Sequence, residues 1–222
     1  SFGAGTEAAG QTMFYPEDHL RALAGEEHLL GSIGRPMYGV DLRLCDDEGN
    51  DVPRGQVGEI TTRSETVMSG YLDDPERTAE AVVDGWFRAG DLAWMDEDGY
   101  LFLAGRKSDM IIRGGENVYP VEIETVLLEH PSVAAVAVVG RPDEHWGEVV
   151  VAAIELSPGH ELDEEALARH CRERLAAYKV PVRFYALQDM PRNVNGKLQK
   201  FAIADLIAER YERSGDGEEG AR

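Results

Sequence analysis

The sequence predicts an α+β protein of two units, a β-rich one running to about Arg106 and a mixed α and β one after it. Three observations point there. Between Gly34 and Gly105 apolar residues alternate singly with polar ones, as in Val40, Leu42 and Leu44 against Asp41, Arg43 and Cys45, the period of a half-buried strand. After Pro120 the apolar residues Ile123, Val126 and Leu127 recur at helical spacing. Between these regimes lies GRKSDMIIRGGENVYPVEIE, Gly105 to Glu124, which packs a charged turn, a strand, a double glycine and a helix start into one run.

The elements follow in order. Phe2 to Gly10 is rich in Gly and Ala and reads as a strand leaving into a loop, and Pro16 to Leu30 as a short helix and connector. DDEGN turns the chain after the strand ending at Cys45. Val57 to Thr62 is a second strand and Asp74 to Val83 a short helix. Asp91–Trp94 and Tyr100–Leu103 flank DEDG, which predicts a hairpin.

In the second unit Met110 to Ile112 is a strand. Pro120 suits the first turn of a helix, because its missing N–H has no partner to lose there, and Pro131 stops that helix. Val133–Val139 and Val149–Leu156 read as strands. Asp163 caps a helix with Leu167, Cys171 and Leu175 on one face. A strand from Arg183 to Leu187 and a helix from Leu198 to Tyr211 follow, and the tail SGDGEEGAR is expected to fray.

Composition narrows the function classes. With 42 acidic against 22 basic residues the formal charge is −20, a field that repels nucleic acid and anionic membranes at long range. A hydrophobic fraction of 43% fits a globular protein. No apolar run is long enough to span a bilayer. Cys45 and Cys171 form neither a disulfide framework nor a metal motif, so a reduced compartment, the cytoplasm, is expected. The start SFGAGTEAAG reads like the middle of a domain, and the sequence is expected to be a piece of a longer protein.

Several residues carry chemistry, each with a plainer reading beside it. In PRNVNGKLQK the Asn195-Gly196 turn holds Lys197 at a loop tip, where an ammonium either reaches an anion or is simply solvated. In GWFRAGDL, Asp91 follows Gly90 and suits a pair of hydroxyls such as a ribose diol, or is an acid at a strand start. Gly114-Gly115 admits close backbone approach to a ligand, with Arg113 hinting at an anion, or makes a hairpin turn. Thr6-Glu7 sets a hydroxyl beside a carboxylate in a glycine-rich loop, a pair suited to phosphate and a hard cation such as Mg²⁺.

The order of these stretches carries the specificity. TE is followed by GEITTRSETVMSGY, GWFRAGDL, GRKSDMIIRGGENVYPVEIE, PDEHWGE and PRNVNGK. Nearly the whole chain closely resembles the second half of the adenylate-forming superfamily, and within it the fatty acyl-CoA synthetases and related acyl-CoA ligases. The resemblance implies the end of a large AMP-binding N-terminal domain over residues 1–106, mostly its distorted β-barrel subdomain, and a mobile α+β lid domain over 107–222.

It implies ATP, Mg²⁺ and CoA as cofactors, a carboxylic acid, fatty or related, as substrate, and a two-step reaction through an acyl-adenylate. By the same resemblance Thr6 contacts the nucleotide phosphate and Glu7 holds Mg²⁺. Asp91 and Arg106 bind the ribose, and Lys197 is the adenylation lysine. Gly114 and Gly115 line the pantetheine tunnel. Trp146, Tyr178, Lys179 and Arg183 are candidates for the CoA nucleotide, and a structural role for Trp146 stands equally. Lys107, Ser108 and Asp109 form the hinge on which the lid domain rotates between the two steps.

Three departures from the family pattern stand out. Ser108 replaces the Asp or Lys that many members carry at the hinge. Phe2-Gly3-Ala4-Gly5-Thr6 has one residue more than usual between the aromatic and the Thr. Asn193 stands where many relatives have Thr, and little effect is expected from it. The chain alone is expected not to adenylate, because half of the nucleotide site is missing. Two other readings remain open, an acyl-adenylating enzyme that loads a carrier protein and a non-catalytic module that kept the fold.

Overall fold

A computed structural model describes residues 2–214 as two compact units that divide between Ser108 and Asp109. In the first unit β1 (Phe2–Ala4), β2 (Ala8–Met13), helix α1 (Pro16–Leu23) and β3 (Arg35–Pro36) come first. There follow β4 (Asp41–Cys45), β5 (Gly58–Arg63), α2 (Pro75–Ala81), β6 (Val82–Val83), β7 (Trp86–Met95) and β8 (Leu101–Arg106). β1, β2 and β3 form a small antiparallel sheet. β4, β5, β7 and β6 form a second antiparallel sheet in that order, with β8 also paired to β7. Leu44, Ile60, Ala93 and Leu101 are buried together as its core.

The start of the chain departs from its expected form. Phe2 to Gly10 is not a strand running out into a loop, because β1 turns at Gly5–Glu7 and pairs back on β2, Phe2 opposite Thr12. β7 is also longer than the expected Asp91–Trp94, and its ten residues include Gly90 at φ +70°. The reason is a bulge. Glu59 pairs with Leu92 and Thr61 with Arg88, so three residues of β7 face one of β5. A glycine in a strand marks such a bulge as readily as a loop.

The second unit holds β9 (Ile111–Arg113), β10 (Glu116–Val118), α3 (Pro120–Leu128), β11 (Val133–Asp143) and β12 (Gly147–Leu156), then α4 (Glu164–Arg172), β13 (Arg183–Ala186) and α5 (Lys200–Ser214). Its sheet runs β10-β9-β12-β11, with β13 parallel to β12. Asp163 caps α4 by accepting the Ala166 N–H at 2.9 Å. Val136, Val138, Val150, Ala152 and Ile154 bury one face under Ile123 and Leu127 of α3 and Leu167 and Cys171 of α4. Ala137, Val139, Val151 and Ala153 bury the other under Ile203 and Ile207 of α5. A sheet covered on both faces reads as a continuous apolar run, which is why VVVAAI shows no alternation. From residue 215 onward the tail, and the expectation made for it, lies outside the described residues.

Candidate functional site

The candidate residues fall into two groups, one in each unit. In the first unit Asp91 and Arg106 are direct partners across β7 and β8. Arg106 Nε lies 3.4 Å from Asp91 Oδ1, with the Asp91 side chain 15% and the Arg106 side chain 67% exposed. Each follows an irregularity that contains a glycine. Gly90 has φ +70° in the β7 bulge, and Gly105 has φ +131° where the β7–β8 register shifts between Leu92 and Ala93. Bulges re-aim side chains out of the regular alternation, and these two set a carboxylate and a guanidinium side by side.

Thr6 lies exposed in the turn between β1 and β2, and Glu7 follows it. The Tyr71 hydroxyl donates to Glu7 Oε1 at 3.1 Å. Glu7 Oε2 lies over Gly5, where a Cβ would come within 2.7 Å of it. The carboxylate therefore occupies space that any other residue at position 5 would fill. One carboxylate beside a hydroxyl fits Mg²⁺, which takes one or two protein carboxylates and completes its shell with water and substrate phosphate. Among the described residues no group of three or more His, Cys, Asp and Glu is arranged for a metal.

Tyr71 also lines an open cleft of about 400 Å³ with Arg77, Arg88, Gly90, Lys107 and Glu59. At its base Glu59, only 6% exposed, accepts from Arg88 Nη2 at 2.6 Å and Nε at 3.1 Å, and from Lys107 Nζ at 3.3 Å. Lys107 also pairs with Asp47 at 2.5 Å. The bond to Glu59 raises the Arg88 pKa, and the bond to Asp47, with Glu59 close by, raises that of Lys107. Lys107, Ser108 and Asp109 form one 3₁₀ turn directly after β8, so its first residue is held by two carboxylates of the first unit.

In the second unit Gly114 and Gly115 are the two turn residues between β9 and β10, with Arg113 opposite Glu116. Their φ values of +60° and +86° are those of a mirror-image tight turn, which glycine adopts without steric cost. The Gly114 N–H donates to Trp146 O at 2.7 Å. Trp146 sits in the tight hairpin between β11 and β12, where Asp143 Oδ1 accepts the N–H groups of His145 and Trp146 at 2.9 and 2.8 Å. Those two donors hold the Asp143 carboxyl below its usual range, the Trp146 N–H contributing most. Arg113 reaches the Trp146 ring at 5.8 Å and donates to Tyr178 O at 2.7 Å.

The glycine turn, Trp146 and Tyr178 are thus one cluster. Lys179 adjoins it, 5.7 Å from the Tyr178 ring, with its ammonium on both Glu122 oxygens at 2.6 and 2.8 Å. Arg183 is exposed at the start of β13, and among the described residues no hydrogen bond or ion pair joins its side chain to that cluster.

Lys197 is exposed just after a turn over Asn193–Gly196. No hydrogen bond or ion pair of its ammonium occurs among the described residues. Its backbone is held by Asn193, whose Oδ1 accepts the N–H groups of Asn195 at 2.9 Å and Lys197 at 3.0 Å. Asn193, from which little effect was expected, is therefore the residue that shapes the lysine loop. Its signal in the sequence was an Asn two places before Asn-Gly, a pattern that caps its own backbone. Tyr71, Glu59 and Arg88 were not singled out. For Glu59 the signal was an acid between Gly58 and Ile60 at the start of an expected strand.

Comparison with known proteins finds matches in both units. The family model for the AMP-binding enzyme matches residues 3–72, and that for the AMP-binding enzyme C-terminal domain matches 122–197. The chain is 46% identical over 178 residues to the 2-succinylbenzoate–CoA ligase of Geobacillus kaustophilus, covering 80% of this chain and 36% of that protein. It is 44% identical over 185 residues to the indoleacetate–CoA ligase of Aromatoleum aromaticum, covering 83% and 36%. Among solved structures, the amide bond synthetase McbA from Marinactinospora thermotolerans matches with a TM-score of 0.82 at 42% identity, over 90% of this chain and 40% of that one. The chain spans little more than a third of the length of these curated relatives.

Proposed function

This chain belongs to the adenylate-forming, AMP-binding enzymes, and from that premise we propose that the protein carrying it joins a carboxylic acid to CoA at the expense of ATP. The observation that carries the reading is the pair Asp91 and Arg106, set side by side by two glycine-containing irregularities. A carboxylate accepts hydrogen bonds from both hydroxyls of a ribose, and the neighbouring guanidinium donates to the same sugar. Fixed on strands rather than on a loose loop, the pair orients the nucleotide.

In the first step an oxygen of the acid attacks the α-phosphorus and the bond to the departing pyrophosphate breaks. Thr6 donates to a phosphate oxygen. Glu7 would hold Mg²⁺, whose charge would offset that of the phosphates. Lys197 bridges the acid and the α-phosphate, where negative charge grows in the transition state. In the second step the CoA sulfur attacks the acyl carbonyl, its proton passes to solvent, and AMP leaves. Gly114 and Gly115 give the pantetheine arm a path close to the backbone, and Trp146, Tyr178 and Arg183 border the CoA nucleotide. Lys179 exchanges the Glu122 carboxylate for a phosphate of that nucleotide. Rotation about Lys107–Asp109 exchanges the lysine loop for the glycine turn, with Ser108 as a small pivot.

The relatives act on succinylbenzoate and indoleacetate, so the substrate class is a carboxylic acid rather than a fatty acid alone. The likeness to an amide bond synthetase favours one second reading, in which an amine takes the place of CoA as acceptor. The test is acid-dependent exchange of labelled pyrophosphate into ATP by the full-length protein, over a panel of acids. Lys197→Ala is expected to lower it by roughly 10²–10³-fold. No exchange with any acid, or exchange indifferent to Lys197, overturns the reading. Product analysis with CoA, a holo carrier protein or an amine then separates the acceptors.

A further inference from the structure

Within the loop that carries Lys197, one side chain, that of Asn193, bonds the backbone N–H groups of the turn. Val194 is fully exposed, and Asn193, Asn195 and Gly196 are exposed with it, so no apolar packing holds this turn in place. What closes it is polar. Asn193 N–H donates to Lys197 O at 2.8 Å, and Gly196 N–H donates to Asn193 O at 2.9 Å. Asn193 Oδ1 takes the remaining two inward N–H groups, those of Asn195 and Lys197. Asn193 thus engages three of its polar groups inside five residues, and two of these bonds end on the backbone of Lys197.

Arg192 ties the closed turn to the sheet. Its Nη1 donates to Gly196 O at 3.2 Å and its Nη2 to Glu155 Oε2 on β12 at 3.4 Å. The β-bridge between Arg192 and Leu198 closes the base of the loop.

We infer that Asn193 is a positioning residue, its side chain fixing the backbone from which Lys197 reaches the reacting phosphate. The inference rests on the functional reading above for the role of Lys197, but the ordering of the loop is testable by itself. A flexible lysine side chain finds its target only as often as its Cα stands in the right place. With Oδ1 removed, the Asn195 and Lys197 N–H groups turn to water and the loop samples conformers in which the ammonium points elsewhere. Because Lys197 acts in the first step alone, the loss should fall on that step.

In full-length protein, Asn193→Ala is expected to lower the kcat of pyrophosphate exchange about tenfold, the effect of two net hydrogen bonds. The KM for ATP, the rate of thioester formation from a supplied acyl-adenylate and the unfolding midpoint should hold. Asn193→Ser, whose hydroxyl accepts the same bonds more weakly, should recover part of the loss. Backbone amide hydrogen exchange at Asn195 and Lys197 should speed up in Asn193→Ala with no need for activity. Unaltered amide exchange, a wild-type exchange rate in Asn193→Ala, or equal loss in both steps with a lowered unfolding midpoint overturns the inference. Wild-type protein without acid-dependent exchange removes the functional reading, and the positioning role with it, whatever the amides do.

Discussion

Replacing Gly114 and Gly115 singly by Ala tests whether the turn between β9 and β10 is a plain hairpin or is backed by Trp146. At either site a Cβ in the left-handed region costs about 1–2 kcal/mol. At Gly115 (φ +86°) nothing lies within 4 Å of the added methyl, so that strain is the whole effect. At Gly114 the methyl would stand 2.8 Å from Trp146 Cε3 and 3.1 Å from Cζ3. The bond from Gly114 N–H to Trp146 O fixes the backbone that carries the indole, and the His145 ring meets the indole edge-on at 4.7 Å. Pushing it aside adds a penalty of the overpacking kind, about 1–2 kcal/mol.

Gly114→Ala should therefore cost about 2–4 kcal/mol and Gly115→Ala about 1–2. In a chain of this size that difference is about 2–8 °C in the melting midpoint, read by far-ultraviolet circular dichroism on the same preparation. In a Trp146→Ala background the two substitutions should become equal, since the clash is gone and only backbone strain is left. Equal midpoints in the presence of Trp146 would refute the reasoning, because they would mean that the indole does not back the turn.

Two further outcomes are expected. Arg88→Ala leaves Glu59 buried with Lys107 3.3 Å away as its other cation. The loss should be about 2 kcal/mol, below the roughly 3–5 of a fully broken buried pair, and Glu59→Gln in the same chain should restore part of it, both measured by urea denaturation. Burial, with His170 and His160 close by, holds the His130 imidazole below its usual 6.5, against a small opposing pull from Asp163. The unfolded chain then binds the proton more readily, so stability should be flat above about pH 7 and fall as pH drops through 6.5. His130→Gln should flatten the profile between pH 7 and 5.5, and an unchanged slope there would show that another group titrates.

Most elements were legible because their patterns were local. Pro120 and Pro131 bracket a helix whose Ile123 and Leu127 are buried, and Asp163 caps α4 as its position before the apolar stripe implied. The strands were found through alternation or apolar runs, yet their lengths were missed where partners decided them. β7 reaches back to Trp86 because β5 and β6 pair with its first residues. β11 continues to Asp143 through Arg141 and Pro142 because β12 lies opposite. Neither extension has a signature in its own residues.

The candidate site divides the same way. The sequence named Asp91, Lys197, Glu7 and the double glycine with a plainer reading beside each, and it was the order of their motifs, through the family resemblance, that favoured the chemical one. The resemblance implied that Arg106 joins Asp91 on one sugar, but their register across β7 and β8, the bond from Tyr71 to Glu7, and the burial of Glu59 between Arg88 and Lys107 came only from the tertiary structure. Even for Asn193, close to Lys197 in sequence, only the structure places its side-chain Oδ1 on two N–H groups of the loop. Residue type fixes what a group can donate, accept or carry as charge. Which partner it meets depends on sheet register, and register is set by the sum of many contacts along the strands.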